Sequence, residues 1–104
     1  VEDNLSAALD ARIAAAFADG AKSGDVAALI RDAEAAAVAS GEAAERARTL
    51  ALDPALSAAD VAVARREMED AAFRRDRMQE AVRRLGGRLR QVQAQEKDAQ
   101  HQLA

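Results

Sequence analysis

Along the second half of the chain, apolar positions recur at alternating intervals of three and four. Val61, Ala64, Met68, Ala71, Arg75, Met78, Val82, Leu85, Leu89, Val92, Glu96, Ala99 and Leu103 keep this register without a slip, and only Arg75 and Glu96 interrupt its apolar character. A repeat held over that length predicts a coiled-coil-like helix over about residues 58–103. Upstream, Val26, Ile30, Ala33, Ala37, Ser40, Ala44, Ala47 and Ala51 follow the same alternation, with Leu29 and Leu50 widening the stripe. A second helix is therefore expected over about residues 24–52, its seam built almost entirely of small side chains. Leu5, Leu9, Ile13 and Phe17, four apart, write a shorter first helix over about residues 4–19, closed by Gly20 as a left-handed cap.

The punctuation between these stripes sets their order in space. Pro54 lacks an N–H and pushes Asp53 out of the helical region, so residues 53–57 form a turn. Ser57 with Asp60 reads as a capping box, flanked by Leu56 and Val61 as a hydrophobic staple, and Ser23 before Gly24 and Asp25 reads as the N-cap of the second helix. So short a turn makes the two long helices antiparallel neighbours, with residue i facing roughly 110 minus i. Ala47 then faces Ala64, Ala33 faces Met78, Ile30 faces Val82, and Val26 lies near Leu85. The same arithmetic carries the first helix along the tail of the third, with Phe17 near Val92, Leu9 near Ala99 and Leu5 near Leu103.

Gly86-Gly87 falls inside the third helix, where each glycine costs about 1 kcal/mol relative to alanine. The favoured reading is that the helix continues and the glycines permit close packing or a mild curve. The alternative is a hinge, about which the first helix and residues 88–104 move together against the hairpin.

Composition narrows the class. About thirty of the 104 residues are alanine, leaving twenty-two of Val, Ile, Leu, Met and Phe, which is thin material for a globular core but strongly favours helix over strand. The expected fold class is all-α: a single helical domain over residues 1–104, an antiparallel hairpin with a short N-terminal helix, completed by oligomerisation. Charges interrupt every alanine stretch, and Val1 to Asn4 are acidic and polar, so neither a membrane span nor a signal peptide is expected and the cytoplasm is the default location. With no cysteine there is no disulfide, thiolate catalysis or Cys-type zinc site.

The net charge of -3 conceals an asymmetry: residues 1–60 carry five basic and eleven acidic groups, the rest ten basic and seven acidic. Asp25 and Asp32 are expected within reach of the region from Arg83 to Arg90, giving exposed ion pairs worth about 0–1 kcal/mol each. Arg83, Arg84, Arg88 and Arg90, with no acid among them, are the place where an anion or nucleic acid could bind. Against it stand the absence of a phosphate-loop pattern, the lack of nearby aromatics for base stacking and the acidity of the whole chain.

Few residues suggest chemistry. His101 is the single histidine, and the carboxylates Glu67, Glu69 and Asp70, or Glu42 and Glu45, have no pocket to shield them, so no enzyme, cofactor or metal is expected. Arg75 and Glu96 either snorkel out of a poorly buried seam or fix register and oligomeric state. Phe73 and Val63 fall off the seam, which implies a partner for that face: the first helix folding back, or a second copy of the chain.

The stretch from Ala51 through the Asp53-Pro54 turn to Val61, followed by Ala64-Arg65-Arg66-Glu67-Met68-Glu69-Asp70-Ala71-Ala72-Phe73-Arg74-Arg75-Asp76-Arg77-Met78, resembles short uncharacterised bacterial proteins built as alanine-rich helical hairpins, some of them prophage-associated. The resemblance covers about a third of the chain and implies a hairpin, with no activity or ligand to carry over. The expected role is a non-enzymatic structural or protein-interaction module working through helix faces. It would assemble with itself, a dimer being favoured, or with another helical protein. The alternative is a small nucleic-acid-associated accessory protein using the arginine cluster.

Overall fold

The computed structural model describes the backbone of residues 2–103 and the side chains of residues 4–103; Val1 and Ala104 lie outside the described residues. Three α-helices make up the fold: α1 (Glu2–Ala15), α2 (Ser23–Ala51) and α3 (Ala58–Leu103), with no strand among the described residues. None of the helices is long and apolar enough to cross a membrane. The chain is all-α, and α2 and α3 pack as a helical hairpin. Val26, Ala33, Ala37, Ala44 and Ala47 of α2 are buried, as are Ala64, Met78, Leu85 and Val92 of α3, all of them positions of the three-four stripes. Leu29, at the edge of the α2 stripe, joins them.

Local chemistry explains the turn. The Asp60 N–H donates to Ser57 Oγ at 3.2 Å and the Val61 N–H to the Ser57 carbonyl at 2.9 Å, so Ser57 is the N-cap of α3. Asp53 Oδ1 accepts the Ala55 N–H at 2.9 Å, a side chain standing in for backbone in a tight turn.

Two compact units can be distinguished, one of residues 34–79 and one of residues 1–33 with 80–104. The first holds the stretches of α2 and α3 on either side of their turn. An added Cβ on Gly41 would stand 3.5 Å from Cδ of Arg75, where 110 minus i places residue 69. A long side chain leans toward its own N-terminus, which carries Cδ of Arg75 back toward that level. Leu52 and Asp53 donate back to the carbonyls of Arg48 and Leu50 and close α2 at Ala51.

In the second unit α1 does not run along the tail of α3, as the arithmetic has it. It folds back beside α2, where Arg12 reaches Asp32 at 3.0 Å. The expected contacts of Leu5 with Leu103 and of Leu9 with Ala99 are not made: Leu5 is 68% and Leu103 89% exposed, and every residue from Gln93 to Leu103 is exposed. That tail offers Glu96 and Ala99 where a core would need large apolar groups, whereas α2 offers Val26 and Leu29. α1 also stops at Ala15, four residues short of expectation, because the chain tightens into bonds from Phe17 to Ala14 and from Ala18 to Ala15. Gly20 is left-handed, with φ 87°, but it shapes the corner between α1 and α2 and does not cap α1.

Candidate functional site

Among the described residues, polar groups far apart in sequence meet at that corner, residues 16–22, and both of its anchors come from α3. Arg88 is half-buried; its Nε–H donates to the Ala16 carbonyl and its Nη2 to the Ala18 carbonyl, both at 2.8 Å, while Nη1 bonds Gln91 Oε1 at 2.7 Å. Eight residues on, about 12 Å along the helix, Glu96 Oε2 accepts the backbone N–H of Ser23 at 3.0 Å. A helix leaves its last carbonyls and first N–H groups without partners and carries partial negative and positive charge there. Arg88 thus supplies a cation to the carbonyls that follow α1, and Glu96 an anion to the start of α2. The Ser23 N–H, with the Ser23 hydroxyl adding to it, holds the Glu96 carboxyl below the usual carboxylate range.

This arrangement corrects the expected N-cap. The Lys22 carbonyl accepts the first bond of α2, from the Val26 N–H at 3.0 Å, so Ser23 already lies inside the helix and the capping carboxylate arrives from α3. Glu96, a misfit in the apolar register, is placed by that register beside the start of α2. Arg75, the other misfit, behaves differently. Its stem lies over Gly41 and its Nε turns out to Asp76 Oδ1 at 3.0 Å, leaving the side chain 38% exposed, which is snorkelling.

The four arginines at 83–90 do not converge on one surface. Glu80, one turn before them, accepts both Nε and Nη2 of Arg83, the shorter at 2.7 Å, and lies 3.5 Å from Nε of Arg84. The hydrogen bonds from Arg83 hold the Glu80 carboxyl below its ordinary value. Arg88 is committed to the corner carbonyls, and the Arg90 guanidinium lies over the glycine pair, 4.0 Å from a Cβ built on Gly86 and 3.9 Å from one on Gly87. The sequence signal for this was present: a glutamate three and four residues before two arginines on a helix. Asp32 was expected to serve this region and is instead paired with Arg12.

The helix runs unbroken through Gly86-Gly87, and nothing packs closely enough on either glycine to require it. Phe73 and Val63 lie in the hairpin unit, 69% and 57% exposed. His101 is exposed, as are Glu42, Glu45, Glu67, Glu69 and Asp70. Among the described residues no three of His, Asp and Glu come together as ligands for a metal ion. In comparisons with protein-family models, with curated proteins and with solved structures, nothing matches this chain.

Proposed function

We propose that the chain is a non-enzymatic interaction module of the cytoplasm that assembles through helix faces, with a second copy of itself as the first partner. The observation that supports this is the apolar surface of the hairpin unit. Val38, Leu50, Leu52, Val63 and Phe73, all within residues 34–79, are between 48% and 69% exposed. Beneath them the buried positions of that unit are Ala37, Ala44, Ala47, Ala64 and Met78, so its large apolar groups lie mostly outside its core. Fully burying one Val, Leu or Phe is worth about 1.5–3 kcal/mol, which a partner helix would recover and an isolated hairpin does not. The nucleic-acid alternative loses ground because Arg83, Arg84 and Arg88 are already engaged within the chain. The likeness of residues 51–78 to bacterial hairpin proteins belongs to the same proposal and adds no ligand to it.

Light scattering on a sizing column, over about a hundredfold range of concentration, tests the reading. The expected mass is that of two chains, falling to one for Phe73→Glu, a substitution at an exposed position that leaves the seam untouched. A mass of one chain throughout removes the second copy as partner.

A further inference from the structure

We infer that α1 is a detachable strap: it undocks from α2 and α3 of its unit as a single element, turning about residues 19–22, and leaves those two helices paired. Burial is the first ground. Among the described side chains on the α1 side of residues 19–22 only the small one of Ala16 is buried; Leu9 and Ile13 are half-buried, and Leu5 is 68% exposed. The stretches of α2 and α3 in the same unit bury Val26, Leu29, Ala33, Leu85 and Val92. Packing is the second. A solvent-open cleft of about 300 Å³ lies between Arg12, Ala15 and Ala16 on one side and Asp25, Val26 and Leu29 on the other, so the last turn of α1 meets α2 across a gap.

The polar ties decide where the break falls. Arg12–Asp32 joins the body of α1 to α2, and both its side chains are about half exposed. Arg88 holds the carbonyls of Ala16 and Ala18, on the α1 side of Gly20, while Glu96 holds the N–H of Ser23, on the α2 side. When the Arg88 bonds open, Glu96 still caps α2, so the start of that helix keeps its partner while α1 leaves. A helix of fourteen residues has little stability of its own once it has lifted. Lifting bares Val26 and Leu29, the largest apolar groups lining the cleft. The strap is a property of the isolated chain and does not depend on what the chain binds.

Amide hydrogen exchange on the whole chain at neutral pH tests this. Amides from Leu9 to Ala15 are expected to share one rate, at least roughly tenfold faster than those of Val26–Ala33 and Leu85–Val92. Arg88→Gln should speed the α1 amides by a further factor of about ten and leave the other two windows within about twofold; Arg12→Gln, which touches only the exposed pair, should act in the same direction more weakly. Three results overturn the inference. One is protection in α1 equal to that of Val26–Ala33 in the native chain. Another is a gradient of fraying in which Ile13 to Ala15 remain as protected as Val26. The third is acceleration of all three windows together by either variant.

Discussion

Glycine does two different jobs in this chain. At Gly20 the backbone φ is 87°, a conformation that an L side chain adopts only with strain, so Gly20→Ala should destabilise by about 1 kcal/mol. At Gly86 and Gly87 the backbone is helical and an added methyl meets only the far end of Arg90. Alanine at either position should therefore raise stability by about 0.5–1 kcal/mol, read as a shift in the urea midpoint with unchanged slope. Loss of stability there would show that the glycines answer to a constraint the isolated chain does not contain. Glu96 supports a second prediction at this scale. Its folded-state value lies below the ordinary 4.5, so its contribution is present at neutral pH and disappears as pH falls through the depressed value. Thermal melts at pH 7 and pH 3 should differ less for Glu96→Gln than for the native chain, because the amide still accepts the Ser23 N–H but no longer titrates. An equal difference in both would show that the cap contributes nothing to the acid sensitivity.

At the scale of elements, what could be read in advance depended on how local the causes were. The ends of α2 and α3 at the turn follow from Pro54, Asp53 and Ser57, each acting on its neighbours, and both lie within a residue or so of where the sequence puts them. Ser57→Ala should accordingly cost about 1 kcal/mol of stability in urea unfolding, by removing the acceptor for the Asp60 N–H. The end of α1 and the start of α2 were less legible. Their caps are side chains seventy residues away in sequence, and no local rule connects Arg88 to Ala16 or Glu96 to Ser23. Periodicity supplied a hint, since Glu96 breaks an apolar stripe, but not which backbone group it would find. The fold-back of α1 was hidden because its stripe of Leu5, Leu9, Ile13 and Phe17 suits either neighbour, and the tail of α3 turned out to hold too little apolar surface to compete.

For the whole molecule, the balance between small and large apolar residues governs behaviour. With about thirty alanines and twenty-two larger aliphatic, methionine or phenylalanine side chains, a share of the latter stands in solvent rather than in the seam. If association buries them, the melting temperature should rise with protein concentration and lose that dependence in Phe73→Glu; a melting temperature constant over a hundredfold range would separate stability from assembly altogether.

The exposed run from Gln93 to Leu103 has a practical side. All its residues face solvent, yet the helix is continuous from Ala58. It is a built-in spacer. A second helical protein spliced in frame onto those last turns would be carried on one uninterrupted helix, and each added residue would swing it by roughly 100° and advance it by about 1.5 Å, so that orientation becomes a matter of counting.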